Sequence, residues 1–216
     1  MNERIGKAEI AHMFAEAAKS LRSQHERLSE LDSVAGDGDH GTTMLRVAEQ
    51  LDRAVDPAST KNLQSILRDT GWNVLGVDGG ASSAILGTFF AGMADAVMGE
   101  DSMDGHELAE AFEAGLRAVS RQTKALPGDK TMMDALVPAV NALRSADSAS
   151  RTIPDALEEA ASAARSGAGS TRDLVARYGR SKFLGEKTRG YPDPGATSVA
   201  LLFTGFSAAL ATKRKS

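Results

Sequence analysis

Apolar residues recur along this chain at helical intervals. Ile10, Met13, Phe14, Ala17, Leu21 and Leu28 share one helical face, so the spacing predicts a single amphipathic helix over residues 5–30. Met44, Val47, Ala48 and Leu51 predict a second helix, with Thr42 or Thr43 at its N-cap. Asp56-Pro57 marks a turn. Leu63, Ile66, Leu67, Thr70 and Val74 form a third stripe that Gly76 ends, and a fourth helix is expected over 84–98. Asp104 and Glu107 have the spacing of a capping pair for a helix over 108–122. A sixth is expected over 131–143, kinked at Pro138. A seventh runs over 153–178 with Pro154 in its first turn, and an eighth over 196–211. No stretch reads as a strand. Eight helices of similar length with short connections predict an all-α fold, an antiparallel bundle or closed helical barrel, in a single domain spanning 1–216.

Composition agrees with this reading. Alanine is abundant, aromatic residues make up 5%, and β-branched residues rarely cluster, all of which favours helix over strand. The 42% hydrophobic and 25% charged content is that of a soluble globular chain. A net charge of −4 argues against a general nucleic-acid or membrane-surface binder. The run Lys213-Arg214-Lys215 reads as a solvated tail. The longest apolar run, 199–211, is broken by Thr204, Gly205 and Ser207 and is shorter than the ~20 residues of a membrane span. The absence of cysteine excludes disulfides and thiolate sites. The polar first residues lack a signal core, so a cytoplasmic location is expected.

The stretch Asp32-Ser33-Val34-Ala35-Gly36-Asp37-Gly38-Asp39-His40-Gly41-Thr42-Thr43 interrupts the helical pattern. A continuous helix would spread Asp32, Asp37 and Asp39 around its circumference, at ~100° per residue. The interleaved glycines let the chain turn so that the three carboxylates converge. Converged carboxylates repel unless a cation neutralises them, and hard oxygen ligands of this kind suit Mg²⁺ or Ca²⁺. Gly36, Gly38 and Gly41 formally satisfy G-x-G-x-x-G, but no strand precedes them and the aspartates oppose a bare pyrophosphate. An EF-hand counted from Asp37 puts Ala48 where a bidentate Glu belongs. His40 reads either as a structural hydrogen-bonder or as a phosphate contact.

Three further loops carry small or charged residues at helix starts. Gly79-Gly80-Ala81-Ser82-Ser83 reads as an anion-binding helix terminus or a plain serine-capped start. Gly128-Asp129-Lys130-Thr131-Met132-Met133-Asp134 reads as a capped helix with core methionines or as a site loop. Residues 179–195 lack periodicity and hold Arg180, Lys182, Lys187 and Arg189 before Asp193-Pro194-Gly195; a loop this long is often functional. Within it Gly185-Glu186-Lys187-Thr188 fails the G-x-x-x-x-G-K-[ST] pattern because Glu186 intervenes. His12, His25 and His106 sit on expected helices without ligand-spaced partners.

Taken together, these four loops resemble those of the nucleotide-binding L subunit of dihydroxyacetone kinases. The similarity lies in Gly36-Asp37-Gly38-Asp39-His40-Gly41, Gly79-Gly80-Ala81-Ser82, Pro127-Gly128-Asp129-Lys130-Thr131-Met132, Gly179-Arg180 with Leu184-Gly185-Glu186, and Asp193-Pro194-Gly195-Ala196-Thr197-Ser198. The resemblance implies an eight-helix antiparallel barrel with a nucleotide site at one rim. It implies two Mg²⁺ ions on Asp32, Asp37 and Asp39, and ATP or ADP held by His40, Gly41, Thr42, Thr43, Ala81, Ser82, Ser83, Gly128, Thr131, Met132, Arg180, Asp193, Pro194 and Gly195. It places the keto-sugar, dihydroxyacetone or a relative such as erythrulose, on a separate K-type subunit, so no catalytic residue is expected in this chain. Gly38 and Thr42-Thr43 look like the branch that uses ATP directly, whereas the free-standing length looks like the branch in which a phosphohistidine carrier protein recharges bound ADP. A homodimer is compatible with the resemblance, and a non-catalytic nucleotide sensor docking to a regulator is the rival role.

Overall fold

The computed structural model of the protein describes residues 4–54, 61–98 and 101–211. The expected turn at Asp56-Pro57 and the basic run Lys213-Arg214-Lys215 lie outside the described residues. Nine α-helices account for most of what is described. They are α1 (Lys7–Ser23), α2 (His25–Ser33), α3 (His40–Arg53), α4 (Leu63–Leu75), α5 (Gly80–Ala94), α6 (Gly105–Gln122), α7 (Met133–Ser148), α8 (Ile153–Ser170) and α9 (Pro194–Leu210). The chain is all-α, as its periodicity predicts, apart from two short strands. Ile5–Gly6 (β1) pairs antiparallel with Ser102–Met103 (β2), a segment too short to leave a period-2 signature.

Helix boundaries differ from expectation where tertiary contacts overrule local pattern. The single helix expected over 5–30 is two, broken at Gln24, whose φ of −121° and ψ of 10° leave the helical region. The break turns α2 so that its last turn delivers Asp32 to the acidic loop, while Gly41 of α3 presses so closely on the His25 carbonyl that a Cβ there would lie 1.9 Å from it. The helix expected to reach residue 178 stops at Ser170, passes into a 3-10 turn at Thr171–Asp173 and then extends. The stretch without periodicity holds 3-10 structure over Arg180–Thr188. Helix α7 runs through Pro138, where the sequence predicts a kink. The Asp134 carbonyl, deprived of its helical donor by that proline, faces Gly167 of α8. Other signals hold. Asp104 and Glu107 form a reciprocal capping box at 2.9 and 2.8 Å, and Pro154 lies in the first turn of α8.

The helices pack in chain order: α1 on α3, α3 on α4, and so on through α8 on α9, with α9 returning to α1. Helices α5 and α9 contain no charged residue and bury most of their side chains, as helices deep inside a bundle do. Phe14, Phe89, Phe90, Phe112, Phe203 and Phe206 form a chain of ring contacts through the centre, mostly edge-to-face at centroid distances of 5.5 to 6.0 Å. Small residues let backbones approach elsewhere. Gly205 of α9 lies so close to α1 that a Cβ on it would sit 2.4 Å from both the Cα and the N of Ala17. Alanine outranks glycine as a helix former by ~1 kcal/mol, but backbone overlap of this kind costs roughly 1–3 kcal/mol. Gly205→Ala is therefore expected to lower the denaturant midpoint followed by circular dichroism, and a raised midpoint would show that α1 and α9 can separate freely.

Candidate functional site

The acidic loop is built by local chemistry. Asp32 ends α2, and its carboxylate accepts the Gly38 amide at 2.9 Å, folding the loop back on itself. Gly38 has a φ of +79°, a left-handed conformation that suits glycine. Asp39 then caps α3. As a result one oxygen from each of Asp32, Asp37 and Asp39 lies within 4.8 Å of the others. Arg180 reaches across from the 3-10 segment and pairs with Asp37. That guanidinium holds the Asp37 carboxyl below its usual range. Burial, followed by the charges of Asp37 and Asp32, pushes Asp39 up. A carboxylate raised by like-charged neighbours is one that gains from a cation. The donor set is all oxygen, two of the three residues are exposed, and the cluster fits a hard divalent ion that keeps part of its shell for other ligands.

Two cavities meet beside this cluster, sharing Asp32, His40, Ala81, Ser82 and Arg180. The polar arm, about 550 Å³, runs over the starts of α3 and α5 past Thr42, Thr43, Gly79 and Gly80, with Arg46 and Asp78 at its far side. The apolar arm, about 310 Å³, is lined by Leu31, Ile85, Met132, Met133, Tyr178, Tyr191 and Pro194. Residues from the first turns of α3, α5, α7 and α9 line the groove. Such ends present unpaired N–H groups and the positive end of the helix dipole, so the groove favours anions next to a cation site.

His40 ties these helix starts together. Its Nε2 lies 2.6 Å from Ser198 Oγ on α9 and its Nδ1 3.2 Å from Ser82 Oγ on α5. Ser198 Oγ also donates to the Pro194 carbonyl at 3.1 Å, which leaves it an acceptor for Nε2–H; Nδ1 then accepts from Ser82. Burial pushes the imidazole pKa down, opposed by the charge of Asp32. Asp193 caps α9 by accepting the Ala196 amide at 2.7 Å. Part of its surface opens on the groove, but close packing around the carboxyl pushes it up to about 7 against the Ala196 N–H and the Lys130 ammonium.

The structure brings together most of the residues singled out in the sequence. His40, Thr42, Thr43, Ala81 and Ser82 line the polar arm. Thr131, Met132, Asp193, Pro194 and Gly195 line the apolar arm, and Arg180 lines both. Three others face elsewhere. Gly41 packs on α2, Ser83 is buried with its hydroxyl donating to the Gly80 carbonyl at 3.3 Å, and the Gly128 amide donates to the Asp134 carboxylate at 2.6 Å. Sequence reasoning passed over Arg46, Ser198 and Lys130. Arg46 follows Thr42 by four residues and Thr43 by three, so helical phase could have found it. Ser198 and Lys130 sat inside quoted motifs without a role.

An all-α chain with three converged carboxylates beside an anion-favouring groove defines the class. The chain belongs to the DAK2 domain family, whose profile matches residues 34–208. It is 38% identical over 198 residues to the ADP-binding subunit DhaL of the PEP-dependent dihydroxyacetone kinase of Escherichia coli strain K12, covering 92% of this chain and 94% of that protein. It is 40% identical over 179 residues to the L-erythrulose 1-kinase of Mycolicibacterium smegmatis, covering 81% of this chain and 31% of that protein. The solved dihydroxyacetone kinase from C. freundii in complex with AMP-PNP and Mg²⁺ matches with a TM-score of 0.72 at 27% identity, over 96% of this chain and 35% of that one. The chain thus spans about a third of each of the latter two proteins.

The His40 network generates a prediction. An imidazole whose native pKa lies below the unfolded value of 6.5 stays neutral while the unfolded chain takes up a proton, so its contribution to stability is complete above 6.5 and is lost as pH falls towards the native pKa. Nitrogen-15 spectra at pH 6.5, where an ordinary imidazole is half protonated, are expected to show His40 mainly neutral with the proton on Nε2. A doubly protonated ring at that pH would contradict the network.

Proposed function

We propose that this chain is the nucleotide-binding, phosphoryl-transferring subunit of a dihydroxyacetone-type kinase, acting in the cytoplasm on a keto-sugar held by a separate K-type subunit. The observation that carries the reading is the continuity of the two arms, apolar at one end and polar at the other, with the acidic cluster where they meet. The adenine of ADP or ATP fits the apolar arm against Met132, Ile85 and Tyr178. Its phosphates fit the polar arm along the first turns of α3 and α5, where the amides of Thr42, Ala81 and Ser82 and the hydroxyls of Thr42 and Thr43 act as donors. Asp32, Asp37 and Asp39 would hold two Mg²⁺ ions, which when bound neutralise charge on the phosphate oxygens. The helix packing circuit from α1 through α9 and back supports a closed barrel with this site at its rim.

Phosphoryl transfer needs positioning and charge neutralisation more than covalent chemistry from the protein. The residues of this chain supply both. Arg180 adds a guanidinium where the two arms join. His40, neutral and engaged at both nitrogens, holds three helix starts in register and leaves no free ring nitrogen to deprotonate a sugar hydroxyl. The acceptor and its base are therefore assigned to the K-type partner. The near full-length match to an ADP-binding subunit supports ADP as a retained cofactor, recharged by a phosphohistidine carrier. The likeness to erythrulose kinase keeps a four-carbon ketose beside dihydroxyacetone as acceptor.

Two outcomes are expected. Asp37→Asn should weaken calorimetric binding of Mg-ADP by about 100-fold, or ~2.7 kcal/mol, with an unchanged helical spectrum; equal affinity would remove the acidic cluster from the site. The purified chain with ATP and dihydroxyacetone should form no sugar phosphate until a K-type subunit is added. Turnover by the chain alone would overturn the division of labour, and turnover of the pair from ATP without a carrier protein would assign direct use of ATP.

A further inference from the structure

The groove has two walls, and one of them is a long excursion of the chain. Between the end of α8 and the start of α9 the backbone leaves at Thr171 and returns at Tyr191. Its ends meet: the Gly190 amide donates to the Arg172 carbonyl at 2.8 Å, and the Asp193 amide donates to Thr171 Oγ1 at 2.8 Å. Between them lie Tyr178, Gly179, Arg180 and Ser181, which line the apolar arm, and Phe183, which is exposed. Gly179 and Gly185 both have positive φ, the first before the 3-10 structure over Arg180–Thr188 and the second interrupting it.

Beside it, and also lining the groove, stands the turn before α7, which is braced. The Asp134 carboxylate accepts the Gly128 and Thr131 amides at 2.6 and 2.7 Å, and Asp129 accepts the Leu126 amide at 2.8 Å. Lys130 stands in this turn with a φ of +62°, a conformation rare for a residue with a side chain. Its side chain runs inward and is only 6% exposed. There its ammonium donates to the Thr171 carbonyl at 2.5 Å and to the Tyr191 carbonyl at 2.6 Å. One cation thus bridges the two ends of the excursion and ties both to the braced wall. Burial pushes its pKa down, while the carboxylates of Asp193, Asp134 and Asp173 oppose that shift. Arg177 adds a second tie to the same wall, through its amide to the Asp129 carbonyl and its guanidinium to the Asp129 carboxylate.

We propose that Lys130 is a positioning residue for the nucleotide: by clamping the Thr171 and Tyr191 carbonyls it fixes the 171–191 excursion as the wall that retains the base. The proposal rests on the nucleotide reading above. A merely structural lysine would change stability throughout the chain. A clamp changes one wall and therefore the residence time of the ligand.

The test uses Lys130→Met, which keeps the stem and removes the three donors. Mg-ADP affinity is measured by calorimetry, dissociation by stopped flow and amide exchange by mass spectrometry. The expected result is a 10- to 100-fold loss of affinity, mostly in the dissociation rate, with faster exchange confined to residues 174–191. Unchanged affinity and dissociation, or exchange raised uniformly through all helices, would overturn the clamp. Should the variant not fold, the wild type decides. A slowly exchanging Lys130 ammonium signal that shifts as Mg-ADP is added supports the clamp, and exchange as fast as that of exposed lysines refutes it. If the wild type itself fails to bind Mg-ADP, the nucleotide reading falls and the clamp with it. Wild-type binding with an unaffected Lys130→Met removes the clamp alone.

Discussion

Like charges brought within 4.8 Å of one another are stable only if something positive is close, and this molecule is arranged around that condition at Asp32, Asp37 and Asp39. The break at Gln24 aims α2, the glycine turn at Gly38 folds the loop back, and Asp39 opens α3. Arg180 is brought in from a segment more than a hundred residues away to face Asp37. The positive ends of α3, α5, α7 and α9 line the neighbouring groove. A cluster that attracts cations thus stands beside a surface that attracts anions, and a metal–polyphosphate pair satisfies both.

Small residues make this convergence sterically feasible. Helices α5 and α9 carry no charge and pack through glycine and alanine, so their starts can approach α3 closely enough for one imidazole to reach both. That approach explains why His40 is buried and neutral: it sits where three helices meet, burial disfavours a charged ring, and a second proton on Nδ1 would displace the bond donated by Ser82. The polarity difference between the two arms has the same origin. Methionines and prolines from the starts of α7 and α9 line one arm, while threonines and serines from α3 and α5 line the other.

Much of the fold was legible because its signals are local. The stripe from Leu63 to Val74, the box of Asp104 and Glu107, and Pro154 in a first turn each record an interaction within about one helical turn. Errors came where a distant contact decided. Periodicity runs through Gln24 without a flaw, yet α3 pressing on His25 requires the break. Leu174 and Tyr178 beyond Ser170 keep a helical spacing, but Lys130 and Asp193 draw that stretch into another wall. The site shows the same division. Three aspartates among glycines announce converging carboxylates, whereas nothing around Lys130 announces a left-handed backbone that sends its ammonium inward.

By itself the sequence determined that the protein is helical, where most helices begin, and which four loops between them break the helical pattern with glycines and charges. Caps, periodicity and clustered charge act over a few residues and leave their mark in order along the chain. Only the tertiary structure decided that those loops form one groove, that Ser83 and Gly128 face away from it, and that Ser198, 158 residues after His40, completes its hydrogen bonding. The reason is geometric. Helix packing sets which ends meet, and the contacts that select a side chain's role there join residues whose separation in sequence carries no trace of their separation in space.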